Sequence, residues 1–335
     1  MSKKIINHGQ DVVAQQLEGF LAAYSRLYEP MSGMNVILRE RRREGKVALV
    51  IGGGSGHEPL FSGFVGRGLA DAAVCGNIFA APNPAVICET AQRVDNGAGV
   101  LFLYGNYSGD KLNFDMAAEL LEDEGVNCAQ LRVWDDCASA PRERREDRRG
   151  IAGDIFALKI AGAACDAGLS LEEVLRVAEK ARDAIGSIGL ATSPGTIPGL
   201  ERPTFELGED EIEYGMGMHG EPGIERAKMQ PADVLTGRMY AELKKDMGLR
   251  AGQEVCVLVN SLGSTTLLEL GIVYRRLAQL LAADGIAVHD CDLNALCTCQ
   301  EMGGFSISLM VLDEELRGYY DAPCSCPYYT KEDRR

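Results

Sequence analysis

Apolar residues recur at helical spacing from about Asp11 to Tyr28, with Val12, Val13, Leu17, Phe20, Leu21 and Tyr24 on one face, and this predicts an amphipathic helix. Short continuous apolar runs follow that read as buried strands: "KVALVI" ending at Ile51, "DAAVCG" at 71–76 and "GVLFLY" at 99–104. Between the last two, "NPAVICETAQRV" predicts a helix with Asn83 as N-cap and Pro84 in its first position. "DKLNFDMAAELLEDEG" predicts another, stopped by Gly125. Further on, "GDIFALKIAGAACDAG" and "SLEEVLRVAEKARDAIGSI" read as two consecutive helices, the second opened by a Ser170 to Glu173 capping box. Periodicity breaks in "SPGTIPGLERP", then resumes with a helix after Pro231, a strand "EVCVLVN", a helix from about Ser264 to Asp284 and a strand-like "GGFSISLMVL".

Strands separated by helices of this length argue for parallel or mixed sheets with helices on their faces. At 335 residues the chain is long enough for two such α/β domains, divided at 1–190 and 191–335. The charge run "PRERREDRR" (141–149) reads as a solvated loop or helix end, or alternatively as a docking or phosphate-facing patch. No apolar run reaches the ~18 residues of a membrane span, and the N-terminus lacks the apolar core of a secretory signal, so a soluble, cytoplasmic protein is expected. A formal charge of −15 argues against nucleic-acid and anionic-membrane partners. The eleven cysteines are scattered, and several lie inside apolar runs, as small buried hydrophobes do. The pairs Cys297/Cys299 and Cys324/Cys326 are spaced by one residue, not the two to four usual at structural zinc, and no metal site is expected.

Chemistry concentrates in two glycine-rich turns. "GGGSGHEPL" (52–60) follows a predicted strand, and "GMGMHGEPG" (215–223) carries a second histidine into Glu-Pro. The first is no phosphate loop: it lacks the Lys-Ser/Thr of one nucleotide motif, and His57 stands where G-x-G-x-x-G has its last glycine. Bare backbone at Gly53, Gly54, Ser55 and Gly56 still allows a small polar ligand to approach closely. His57 and His219 are each open to several readings: a buried imidazole bonded to backbone, a base or hydrogen-bond donor, a nucleophile toward carbonyl carbon, or a zinc ligand. A third stretch, "YGNYSGDKLNFD", puts Asp110 at the carboxyl end of a strand, either as helix cap or as catalytic carboxylate. Asn106, Tyr107 and Ser108 beside it could hydrogen-bond hydroxyl groups. Together these residues suit a polyhydroxylated carbonyl compound.

In order and spacing, "GGGSGHEP", "NYSGDKLNF", "RRGIAGD", "MGMHGEPG", "MGGFSISLM" and a terminal "DAP" resemble the substrate-binding subunit of dihydroxyacetone kinases over nearly the whole chain. The resemblance implies that His219 bonds covalently to the ketone carbon as a hemiaminal. It also implies that His57 hydrogen-bonds the substrate and that Asp110 assists deprotonation of the terminal hydroxyl. It implies further that this chain binds no cofactor. ATP and magnesium belong on a separate, all-helical nucleotide-binding subunit, where ATP or a nucleotide rephosphorylated by a phosphotransferase chain serves as donor. A homodimer is implied as well. Two positions depart from the family pattern: Gly105 stands where a lysine is common, and Ala81 where a serine is common before Pro82. Loss of a long cation and of a hydroxyl points to a ketose larger than dihydroxyacetone, such as the tetrulose erythrulose. The departures also admit the family's other class, a non-catalytic ketose sensor working with a transcription regulator; retention of His57, Asp110 and His219 favours the kinase.

Overall fold

A computed structural model describes residues 3–40, 44–200 and 202–332. Its strands are β1 (Tyr28–Pro30), β2 (Val36–Arg39), β3 (Ala48–Ser55), β4 (Ala72–Ile78), β5 (Val100–Gly105), β6 (Cys128–Val133), β7 (Ile185–Ser193), β8 (Glu211–Tyr214), β9 (Glu225–Lys228), β10 (Glu254–Ser261), β11 (Ala287–Asn294) and β12 (Gly303–Leu312), with a small terminal pair β13 (Cys324–Ser325) and β14 (Thr330–Lys331). Its helices are α1 (Val12–Ala23), α2 (Pro84–Val94), α3 (Ser108–Asp123), α4 (Asp154–Asp166), α5 (Leu171–Asp183), α6 (Ala232–Met247), α7 (Leu267–Ala283) and α8 (Glu314–Tyr320).

The strands form two six-stranded mixed sheets, ordered β1-β2-β4-β3-β5-β6 and β11-β10-β12-β7-β8-β9. In the first, β3, β4, β5 and β6 are parallel, and β1 and β2 add an antiparallel edge. The chain passes from β3 to β4 on one side and then crosses, through α2, to β5 on the other. The carboxyl ends of β3 and β5 therefore open side by side, the place where such sheets expose ligand sites. In the second sheet only β10 and β11 are parallel, and β8 and β9 form a hairpin at its end. The mixed α/β architecture is thus the one expected, and the expected 190/191 division falls inside β7.

The local signals act where they were read. Asn83 accepts a hydrogen bond from Ala85 N at 2.9 Å to open α2. Ser170 and Glu173 form the reciprocal capping box of α5, and an unforeseen second box, Thr266 with Glu269, opens α7. Helix α4 is buried from Asp154 to Cys165, its interior lysine, Lys159, donating to Tyr319 O at 2.7 Å, and one core joins it to the face of the first sheet and to residues of the second glycine turn, including Met216 and Met218. Some boundaries differ. The first helix ends at Ala23, and Tyr28 begins a strand. The stretch after Asp183, read as helix, is β7, whose residues 185–191 are buried in the middle of the second sheet.

The charge run is the larger correction. Residues 142–147 form a short 3₁₀ turn, but Arg148 is buried and grips Asp246 of α6 with both guanidinium nitrogens, one at 2.9 Å. Arg149 pairs with the buried Asp136 at 2.8 Å. A buried guanidinium persists only when its donors are met by carboxylates or carbonyls. Arg148 thus ties this segment to α6, and Arg149, which also donates to Gly215 O at 3.2 Å, ties it to the second glycine turn. Cys297, Cys299, Cys324 and Cys326 are buried, unbridged thiols.

Candidate active site

The strand β3 runs into its glycines without a side chain to spare. A Cβ on Gly54 would lie 2.7 Å from Ala80 N, and Gly56 has φ +104°, a conformation that favours glycine. This tight exit places His57, 2% exposed, at the carboxyl end of the strand. Its Nδ1–H donates to Thr298 O at 2.7 Å, which leaves Nε2 as the free face of the ring. Burial, reinforced by His219, pushes its pKa down to about 3, so the imidazole stays neutral.

His219 arrives from the other sheet, at the tip of the β8–β9 hairpin. Its Nε2 lies 3.1 Å from His57 Nε2, and its Nδ1 is 2.9 Å from Glu221 Oε1. The second Glu221 oxygen accepts His219 N–H, also at 2.9 Å. Burial opposes the Glu221 charge, but the hydrogen bonds and charge of His219 hold its carboxyl down at about 2. The His219 side chain is 24% exposed and is the accessible member of the pair. Phe79 stacks on His57 at 4.9 Å, and Tyr107 meets the His219 ring edge-on at 4.8 Å. The two Glu-Pro turns share one device: Glu58 takes Gly56 N–H with its carboxylate, as Glu221 takes His219 N–H. In each turn a glutamate fixes the backbone two residues earlier and so aims the histidine region.

Asp110 sits in the first turn of α3, just past β5. It does not cap the helix, and its Oδ1, almost wholly buried, meets no hydrogen-bond partner. Burial raises its pKa to about 7, against the opposing pull of nearby His219. A carboxyl poised there can lose or hold a proton near neutrality. Tyr107 presents a second unpartnered buried oxygen, and burial raises its phenol well above the ordinary value.

The residues singled out in the sequence fall into two groups. His57, His219, Asp110 and Tyr107 converge. Asn106 points its amide nitrogen away, to Glu146 O at 2.8 Å and Arg148 O at 2.7 Å, and holds the 142–148 loop. Ser55 Oγ donates to Gly76 O at 2.7 Å, and the Gly56 N–H goes to Glu58. Gly53 faces the Phe61 ring, into which an added Cβ would run, and is packing backbone. Sequence reasoning missed Glu221, Phe79 and Thr298. Glu221 alone had a visible sign, since both histidine turns carry Glu before Pro.

The fold and site define a mixed α/β protein in which the imidazoles of two glycine turns carried by different sheets meet. Residues 18–328 match the Dak1 domain, and the chain belongs to that family. It is 41% identical over 329 residues to the dihydroxyacetone-binding subunit of a PTS-dependent dihydroxyacetone kinase of Listeria innocua, covering 98% of this chain and 99% of that protein. It is 42% identical over 331 residues to the L-erythrulose kinase of Pectobacterium atrosepticum, covering 98% of this chain but only 56% of that protein. Among solved structures it resembles a dihydroxyacetone kinase operon co-activator, with TM-score 0.88 and 30% identity over 92% of this chain and 96% of that one. It also resembles the C. freundii dihydroxyacetone kinase in complex with AMP-PNP and Mg2+, with TM-score 0.89 and 30% identity, covering 100% of this chain and 62% of that one.

Proposed function

We propose that this chain is the ketose-binding subunit of a dihydroxyacetone-kinase-like phosphotransferase, holding a short ketose on His219 while a helical nucleotide-binding partner supplies the phosphoryl group. The observation that carries the reading is the 3.1 Å contact between the two Nε2 atoms, with Glu221 on the far nitrogen of His219. A hydrogen bond between two ring nitrogens needs one proton between them. His57 already donates from Nδ1, so its Nε2 is the acceptor and His219 Nε2 holds that proton; as the ketone enters, His57 Nε2 takes the proton over and frees the His219 Nε2 lone pair, while the His219 Nδ1–H stays on the Glu221 carboxylate. The lone pair forms the C–N bond to the ketone carbon, and the carbonyl π pair moves to oxygen. His57 then delivers the proton to that oxygen, giving a hemiaminal whose ring keeps its Nδ1 proton, the positive charge being matched by the Glu221 carboxylate. The ketone oxygen thereby takes the position at His57 Nε2 that His219 occupies without substrate.

Such a tether requires a trigonal carbon, which selects ketones and aldehydes over polyols and makes the next step effectively unimolecular. Asp110, poised near neutrality, accepts the proton of the terminal hydroxyl as it attacks phosphorus. ATP and magnesium reside on the partner, whether ATP is consumed or a bound nucleotide is recharged. The preferred ketose is dihydroxyacetone or a tetrulose such as erythrulose. We expect a cytoplasmic homodimer.

The test is reconstitution: the chain alone should neither bind ATP nor turn over, and a nucleotide-binding subunit of the family should restore ketose phosphorylation. Micromolar ATP binding by the chain alone, measured by calorimetry, overturns this division of labour. The resemblance to an operon co-activator supports a second reading, a ketose sensor. That reading wins if reconstitution fails with every nucleotide-binding subunit tried while ketose alters the activity of a transcription regulator.

A further inference from the structure

Asp154 begins α4 and is 1% exposed, yet its Oδ1 finds no hydrogen-bond partner. A buried polar atom left unmet is costly and calls for an explanation. The carboxyl lies against two glycines. A Cβ on Gly105 would stand 3.3 Å from Asp154 Oδ2 and 3.4 Å from the Tyr107 ring, and a Cβ on Gly150 would stand 2.8 Å from Asp154 Oδ1. The space beside Gly105 is therefore bounded by Asp154 and Tyr107, and is not an open void. The Tyr107 ring that borders this space also meets the His219 ring edge-on, and Asp110 lies within electrostatic reach of Asp154, so three unpartnered buried oxygens, on Asp154, Asp110 and Tyr107, gather beside Gly105. Burial, with Asp135 and Asp110 nearby, pushes the Asp154 carboxyl well up, toward the protonated form, which can both donate and accept. A hydroxyl group has the same dual character. Neither hemiaminal formation nor deprotonation by Asp110 uses Asp154.

We infer that Asp154 is a specificity-determining residue that hydrogen-bonds a hydroxyl on the ketose carbon beyond the triose frame, the contact being open because residue 105 is glycine. The inference rests on the ketose reading of the site. A carboxyl in the first turn of a helix also favours the helix dipole, but that role alters stability and not the ratio between two ligands.

The test compares erythrulose with its 4-deoxy analogue, 1,3-dihydroxybutan-2-one, each labelled with 13C at the carbonyl. Calorimetry gives the affinities and NMR reports the tetrahedral carbon. The intact chain should favour erythrulose by about tenfold or more. Asp154→Asn and Asp154→Leu should bring the ratio toward one, and so should Gly105→Ala, which puts a methyl group into the contact and leaves the carboxyl itself in place. An unchanged ratio in a folded Asp154 variant, or in Gly105→Ala if the Asp154 variants fail to fold, overturns the inference while the hemiaminal survives. If no ketose gives a tetrahedral carbon in the intact chain, the ketose reading falls, and this inference with it.

Discussion

Replacing Asp110 by Asn removes a carboxyl whose pKa burial has pushed from 3.8 to about 7, against the pull of His219. At 1.36 kcal/mol per pH unit, a rise of about three units corresponds to about 4 kcal/mol of native-state cost when the group is ionised. Asp110 is 9% exposed, so solvent screening reduces that figure little. The sign follows from the direction. The folded protein holds the proton more tightly than the unfolded chain, so stability falls as pH rises from about 4 through about 7 and the full cost is present above. Asn carries no such charge. Asp110→Asn should therefore match the parent near pH 4 and exceed it at pH 8 by about 2–4 kcal/mol in urea unfolding. In the reconstituted kinase the same substitution should lower kcat by ~10²–10⁴ and leave ketose capture nearly intact. It should also abolish the rise in rate through about pH 7. A variant no more stable than the parent at pH 8, with near-normal kcat, would refute the account of Asp110 as a buried base held ready at an energetic cost.

Glu221→Gln keeps the shape of the turn but removes the charge that aims His219, and should weaken ketose capture about tenfold with the fold intact; titration calorimetry with dihydroxyacetone checks it. Because the Glu221 carboxyl is held down at about 2, its contribution to stability is full above about pH 4.5 and is lost only as pH falls toward 2, which acid unfolding of parent and variant would display. Asn106→Ala releases two backbone carbonyls of the 142–148 loop and should cost about 1–3 kcal/mol in chemical denaturation. Ser170→Ala removes one side of a capping box and should cost about 1 kcal/mol by the same assay, with no change in ketose binding.

What the chain revealed before its structure was known depended on how local the cause was. Asn83 with Pro84, and Ser170 with Glu173, mark helix starts through bonds that span two or three residues, and both were legible. The two glycine turns stood out because histidine and Glu-Pro recur together. Long-range partners left no trace. His57 is oriented by Thr298, 241 residues away, and Arg148 is neutralised by Asp246, 98 residues away, so a charge run that looked solvated is in part a clamp. Strand β11, "AVHDCDLN", escaped notice because its acids are matched by Lys331, with Asp290 at 2.6 Å and Asp292 at 2.8 Å, rather than excluded from the sheet. Residues 185–188 extended a helical pattern because a strand buried on both faces and a buried helix share the same apolar composition. Asp154 drew no attention in the sequence, since a carboxylate after Gly153 is an ordinary helix opening; only its unmet oxygen, on a carboxyl set between Gly105 and Gly150, distinguishes it.

The covalent bond to His219 is the claim on which the rest depends, and NMR of the intact chain with dihydroxyacetone labelled with 13C at C2 addresses it directly. On binding, the ketone resonance should give way to that of a tetrahedral carbon coupled to an imidazole nitrogen when the histidines carry 15N, and His219→Ala should abolish the new signal. A labelled carbon that stays trigonal while the ketose is bound, or equal binding by His219→Ala, would contradict the account.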